Sequence, residues 1–357
     1  MFKICVCISG HGFGHLSQVS TVLNALAEAG CKYSAYVRSP LPEATIATWL
    51  NVPFCHTQTE DDVGMRMSDA LEVDMTASFS AYASFHNEWD RKVQRLGQTM
   101  RNEGISLVLA DVPYLPLAAA QSVGIPTVAM CSLNWADIVE CYFPEQVGWV
   151  QTIRSIYQRA SVFLIPEPGM DMPWLSNQKR IGPVGRLGVS CRAELGRCIR
   201  LSADASLVLV GMGGVHHPLD LSRWPSRVNG RPVYYLVPEG VRGQVGSFSV
   251  AADLPFRYVD LIASSDLIIT KPGYGMFVEA AAAGVPVLYV RREGWPDVAS
   301  LIGWLYSVAH ACQVEPEQLL QGSIIDTMAE LLAAGRYNPV PLNGAAHAAD
   351  VLASYLA

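Results

Sequence analysis

The sequence predicts an α/β protein built from two Rossmann-like, doubly wound domains. Short apolar runs alternate with Ala- and Leu-rich helical stretches, a pattern that implies parallel sheets covered on both faces. Two of the runs, one near the start and one in the second half, lead directly into glycine-rich loops. The chain has 357 residues, half of them apolar and only 16% charged, which is more than one hydrophobic core usually holds.

The elements follow in order. Residues 3–9 form an apolar run that meets Gly10-His11-Gly12-Phe13-Gly14-His15, and Val19, Val22, Leu23 and Leu26 then repeat at helical spacing until Gly30. Strands are expected at 33–38, 106–110 and 127–131. Residues 57–104 interrupt the alternation, irregular at first and helical from about residue 76, so they are a candidate for substrate-specific structure. Gly and Pro in 181–186 suit a linker. A second series opens with a strand at 206–210 before Gly211-Met212-Gly213-Gly214, and continues with strands at 233–237 and 266–270. Lys271-Pro272-Gly273-Tyr274-Gly275 then opens a helix at 276–283, followed by a strand at 285–290. The expected units are 1–184, 185–340 and a closing helix in 341–357 that could pack back on the first domain.

Composition narrows the function classes. A net charge of −7 gives no basic footprint, so neither nucleic acid nor an anionic membrane is an expected partner. We read no signal peptide, and no apolar run reaches the ~18 residues of a spanning helix. The nine cysteines are scattered without a CxxC pair; Cys5 and Cys7 alternate along one face as small core residues. A reducing cytoplasm fits this usage, and a structural zinc site has little support.

A glycine loop between strand and helix brings backbone close to a ligand and aims the helix N-terminus at it. The first loop has Gly10 and Gly12 but His15 where a dinucleotide fingerprint needs its third glycine, and Arg38 stands where an acidic ribose ligand would. The loop carries two histidines instead. Each could act on a ligand or simply cap or pack the helix, and His11 is the more structural of the two. Asp111, at the end of its strand, should project from the same sheet edge as His15. A carboxylate there would orient the imidazole and make it a better general base; the alternative is a cap for the next helix.

In the second half, Gly213 and Gly214 let backbone amides approach a diphosphate, while Lys271 and the helix opening at Gly273, Tyr274 and Gly275 join a cation to free N–H groups. Glu279, one turn in, could hold ribose hydroxyls or lie on the helix surface. Arg291-Arg292-Glu293-Gly294-Trp295-Pro296-Asp297 is a polar loop able to contact a sugar. A lysine and a helix N-terminus can stabilise a departing diphosphate without a metal. No Asp-x-Asp follows a strand, and Asp61 and Asp62, taken as strand neighbours, face apart. Metal and cofactor are therefore not expected.

These residues together resemble the GT-B glycosyltransferases, most closely the glycosyltransferase-like bacterial proteins related to the N-terminal region of plant L-arabinokinase. The likeness rests on residues 9–15 (SGHGFGH), Asp62-Val63-Gly64, Phe85-His86, residues 109–113 (LADVP), Asn134-Trp135-Ala136-Asp137, and residues 268–275 (IITKPGYG) with Glu279. Residues 271–275 also look like the donor loop of diacylglycerol glycosyltransferases, and 279–286 are similar to MurG. The resemblance implies an N-terminal acceptor domain and a C-terminal nucleotide-sugar domain facing across a cleft, with inverting, metal-independent transfer. His15 and Asp111 match the base and its supporting aspartate. Together with the loop readings above, donor contacts are expected from Gly213, Gly214, Lys271, Gly273, Tyr274, Gly275, Glu279, Trp295 and Asp297, and acceptor contacts from His11, Gly12, Phe13, Phe85, Trp135 and Asp137. A UDP-sugar donor and a small-molecule or glycan acceptor are expected, although the plant donor signature with its Trp, Gln and His is absent. Two alternatives stand beside transfer: nucleotide-sugar hydrolysis, and binding without catalysis.

Overall fold

A computed structural model describes residues 2–213, 219–241 and 247–356. The first half contains strands β1 (Phe2–Ile8), β2 (Tyr33–Ser39), β3 (Phe54–Gln58), β4 (Leu107–Asp111), β5 (Thr127–Met130), β6 (Val162–Pro166) and β7 (Gln178–Ile181). Its helices are α1 (Phe13–Glu28), α2 (Glu43–Ala47), α3 (Met75–His86), α4 (Trp89–Glu103), α5 (Tyr114–Ser122), α6 (Trp135–Tyr142) and α7 (Val147–Gln158). The strands are parallel in the order β3-β2-β1-β4-β5-β6-β7.

After α8 (Arg192–Ile199) the second half repeats the plan. Strands β8 (Ser206–Gly211), β9 (Arg227–Val228), β10 (Arg231–Val237), β11 (Ser247–Val250), β12 (Leu267–Thr270), β13 (Val287–Val290) and β14 (Ala311–Val314) alternate with α9 (Tyr258–Ser264), α10 (Tyr274–Ala283) and α11 (Val298–Val308). Helices α12 (Pro316–Gln321), α13 (Ile325–Ala334) and α14 (Gly344–Ser354) close the chain. The sheet runs β11-β10-β8-β12-β13-β14, all parallel, with short β9 antiparallel to β10. Strand ends differ from the sequence reading by one or two residues; Asp266, just before β12, accepts the Leu207 N–H on its carboxylate.

Both sheets are flanked by two apolar layers. In the first, α1 buries Leu16, Val19, Val22, Leu23 and Leu26 on one side, while α4 to α7 cover the other. Those five side chains recur at three- and four-residue steps, so one stripe of the helix faces the sheet. Helix α14 returns to this layer, where Ala348, Ala349 and Leu352 join the α1 core beside Val184. The halves also exchange side chains: Trp295 packs into the first core, and Ala70 into the second.

Each sheet has the doubly wound order, in which the chain reverses direction across the sheet between its first and fourth strands. That switch point leaves a crevice at the carboxyl ends of the two strands. In the first sheet it lies between β1 and β4, so it is bordered by His15 and Asp111. In the second it lies between β8 and β12, bordered by Gly213 and Lys271.

Candidate functional site

The first glycine loop is shaped by close contacts. Ser9 N–H donates to the Asp111 carbonyl (2.9 Å), tying the end of β1 to the end of β4, and Gly12 N–H turns back onto the Gly10 carbonyl (2.8 Å). A Cβ at Gly10 would sit 2.4 Å from Pro40 Cγ, and Gly12 has φ of 88°, in the region that favours glycine. Positions beside Gly12 and Gly14 are open space, and no side chain caps α1. Phe13 is exposed and stacks on Trp49.

His15, in the first turn of α1, is buried, and its Nδ1 lies 2.9 Å from Oδ1 of the fully buried Asp111. With Nδ1–H donated to the carboxylate, Nε2 keeps the lone pair that a general base needs. Burial alone would lower the imidazole pKa; the charge and hydrogen bond of Asp111, with Asp62 and Asp297 beyond, outweigh it and leave the pKa raised. Asp111 Oδ2 has no partner among the described residues. Cys131 Sγ is 3.8 Å from His15 Nδ1, and the donor atoms of His15, Asp111 and Cys131 lie within 4.8 Å of one another. These three are therefore the described side chains best placed to hold a metal, though the 2.9 Å contact already pairs two of them directly.

His11 stands between two indoles, 5.6 Å from Trp135 and 5.3 Å from Trp295. Burial, then His15, hold its pKa down to about 3, so it is neutral at physiological pH. Gly64 packs against it with φ of 62°, and a Cβ there would lie 3.2 Å from His11 Nδ1, close enough that the ring would have to shift.

Asp61 and Asp62 do not lie in a strand, as the sequence reading assumed; β3 ends at Gln58 and both sit buried in the loop beyond it. Asp61 receives a two-point ion pair from Arg38 at 2.7 and 2.9 Å. Asp62 Oδ2 accepts from Trp135 Nε1 at 2.7 Å, and burial raises its carboxyl to about 6 against the hydrogen bonds of Ser9 and Trp135. Sequence reasoning missed Asp62 as part of the site. The available signal was a pair of carboxylates preceding Val63-Gly64 in an otherwise irregular stretch.

In the second half, β8 runs into Gly213, which has φ of 74°; a Cβ there would lie 3.2 Å from Lys271 Cε. Glycine thus lets the two loops meet. Gly214 lies outside the described residues. Burial, then Arg292, lower the Lys271 pKa to about 7. Gly273 caps α10 without a side-chain hydrogen bond, and the space beside Gly275 is open, so the first-turn N–H groups stay within reach of a ligand.

Several other assignments change. Tyr274 turns away from this opening: its hydroxyl accepts from Val184 N–H (2.9 Å) and donates to the Glu167 carbonyl (3.0 Å), so it joins α10 to the first half. Glu279 is buried rather than on the helix surface; its Oε1 meets Arg186 Nε at 3.1 Å and Ser17 Oγ at 3.3 Å. Asp137 was expected at the acceptor, but its carboxylate is taken by Arg154, Trp174 and Asn134. Phe85 belongs to a separate aromatic cluster with His86, Trp89 and Tyr114, because α3 and α4 pack their rings on α5. Trp135, by contrast, is fully buried beside both histidines, 6.4 Å from the His15 ring.

The loop after β13 completes the arrangement. Trp295 reaches His11 and Tyr142, and Arg292 lies over its ring at 4.2 Å. Trp295 Nε1, Asp297 Oδ1 and Arg292 Nε and Nη2 are all buried without hydrogen-bond partners among the described residues. Burial raises the Asp297 carboxyl, partly offset by Arg292. Through Trp295–His11 and Glu279–Ser17, the two switch points adjoin: the imidazole dyad on one side, Lys271 and the α10 N-terminus on the other.

No family model matches the chain. It is 26% identical over 309 residues to L-arabinokinase of Arabidopsis thaliana, covering 80% of this chain and 28% of that protein. It is 24% identical over 237 residues to an uncharacterized glycosyltransferase of Methanopyrus kandleri, covering 59% and 62%. The chain thus spans less than two thirds of the curated relatives it matches. Among solved structures, a UDP-glucosyltransferase from Polygonum tinctorium capable of glucosylating indoxyl superposes with a TM-score of 0.60, at 12% identity over 99% of this chain and 98% of that one. Its structural neighbours are GT-B glycosyltransferases, and the chain has the GT-B fold. Among the described residues, no helix is long and apolar enough to cross a membrane.

Proposed function

We propose that this protein is an inverting glycosyltransferase that moves a sugar from a nucleotide diphosphate sugar, with UDP expected, to an acceptor hydroxyl. The observation that carries the reading is the buried His15–Asp111 pair at 2.9 Å, set at one switch point next to the Lys271 cradle at the other. His15 Nε2 takes the proton of the acceptor hydroxyl as its oxygen forms the bond to the anomeric carbon. The glycosyl–phosphate bond breaks on the opposite face, and its electrons leave on the diphosphate. Asp111 stabilises the imidazolium that forms.

The leaving group meets Lys271 and the uncapped α10 N-terminus, which favour added negative charge where it develops. Lysine protonation matters here: near pH 7 the ammonium is half formed in the free protein, and a bound diphosphate draws the proton on. These groups provide the charge stabilisation that a metal gives in other transferases, which supports a metal-independent reaction. The glycosyltransferase among the relatives and the GT-B fold support the same class.

Replacement of His15 by Ala tests the assignment. Turnover should fall by about 100-fold or more while nucleotide affinity stays near the wild-type value. Undiminished transfer by His15→Ala would remove the base from the mechanism.

A further inference from the structure

Arg292 differs from its neighbours in the ion pairs it lacks. Arg38 meets Asp61, Arg186 meets Glu279, and the adjacent Arg291 pairs with Glu293 and Glu315. Arg292 has no carboxylate within 4 Å among the described residues, and its Nε and Nη2 are closed to solvent without an acceptor. Burying that edge of a guanidinium is costly, because neither water nor an acceptor replaces the hydration of Nε and Nη2. Such costs persist at sites that a ligand completes.

Nε–H and Nη2–H form one edge of the guanidinium, two parallel donors spaced to meet both oxygens of a carboxylate. The surrounding groups are of a different kind. Trp295 Nε1 offers a single donor and Asp297 Oδ1 a single acceptor, both buried and unpartnered, which suits hydroxyl groups of a sugar ring. Arg292 lies over Trp295, whose other neighbour is His11, so this group borders the imidazole side of the site. The diphosphate already has Lys271 and the open end of α10.

Resting on the transferase reading above, the geometry points to a donor whose sugar carries a carboxylate, a nucleotide-linked hexuronic acid, with Arg292 as its receptor. Trp295 and Asp297 take ring hydroxyls beside it. Since these particular atoms, Arg292 Nε and Nη2, Trp295 Nε1 and Asp297 Oδ1, are closed to solvent, the 291–297 loop parts from the first glycine loop to admit the sugar and closes over it.

Calorimetric titration of the full chain with UDP, UDP-glucose and UDP-glucuronic acid, repeated with GDP, GDP-mannose and GDP-mannuronic acid, tests this. The wild type should bind the acidic member of one pair about tenfold or more tighter than its neutral partner. In Arg292→Gln that gap should close while affinity for the bare nucleoside diphosphate changes by less than about threefold. Arg292→Lys, which keeps the charge and loses the fork, should close most of it. Thermal melting of both variants checks that they fold. A neutral sugar held as tightly as the acidic one overturns the proposal while leaving transfer intact, as does an equal loss of bare diphosphate in Arg292→Gln. If no nucleotide or nucleotide sugar binds, the transferase reading falls and takes this inference with it.

Discussion

The two glycine loops occupy equivalent positions in repeated folds, yet they are finished differently. Around the first, the charged and indole groups are paired inside the protein, His15 with Asp111, Arg38 with Asp61, Trp135 with Asp62, and Asp111 Oδ2 is the one carboxylate oxygen there left without a partner among the described residues. Around the second, Arg292, Trp295 and Asp297 hold buried polar atoms without a hydrogen-bond partner among the described residues, beside the largely buried Lys271. In the proposed reaction, the first region would be preorganised to act and the second poised to receive. A base needs its tautomer and orientation fixed before substrate arrives, whereas a donor pocket gains affinity by leaving its charges for the ligand to satisfy.

That contrast makes opposite predictions for the two sides. Asp111→Ala should cost about 100-fold in turnover and also destabilise the fold by ~1–3 kcal/mol, because it leaves the buried His15 without its partner. Asp111→Asn keeps the shape but removes the charge that raises the His15 pKa. The acid limb of its pH–rate profile should therefore move to lower pH than that of the wild type, whose His15 pKa Asp111 helps to raise. A limb that stays in place would show that Asp111 does not set the basicity of the catalytic group.

Lys271→Met should do the reverse to stability. Nucleoside diphosphate affinity should weaken about 10- to 30-fold, as expected for a lost charge-assisted contact, while the free protein becomes more stable. The sign follows from linkage: folding lowers the lysine pKa from 10.5 to about 7, so the penalty for burying the ammonium is greatest below pH 7 and vanishes above 10.5. Melting temperatures of variant and wild type should diverge most at pH 6 and converge toward pH 10. The same lysine predicts that wild-type nucleotide affinity declines by several-fold between pH 7 and 8.5, with net proton uptake on binding measurable by calorimetry in two buffers.

How legible these regions were in the sequence follows the same division. The strand–glycine–helix units, His15, Asp111 and Lys271 could be placed because Asp111 ends a strand and the other two follow one closely, and doubly wound topology sends such positions to one edge. Asp62 could not be placed, since it lies in a loop whose path depends on Gly64 folding under His11. Arg292 was seen only as part of a polar loop; that its fork is unpaired is a property of its neighbours in space. Asp137 and Tyr274 misled for a related reason. Each stands in the first turn of a helix beside a plausible site, and only the fold shows Arg154 and Trp174 claiming one and a backbone N–H of the linker claiming the other.

Tyr274 provides the finest test of the comparison, because it sits in the receiving loop yet is bonded as fully as anything in the acting one. Removing only its hydroxyl, Tyr274→Phe leaves the buried Val184 N–H without an acceptor and the Glu167 carbonyl without this donor. The expected cost is ~1–3 kcal/mol of stability, read from denaturant unfolding, with nucleotide affinity changed by less than about twofold. If affinity instead falls with stability unchanged, the hydroxyl serves the ligand, and the division between a finished and an unfinished loop does not run where these hydrogen bonds put it.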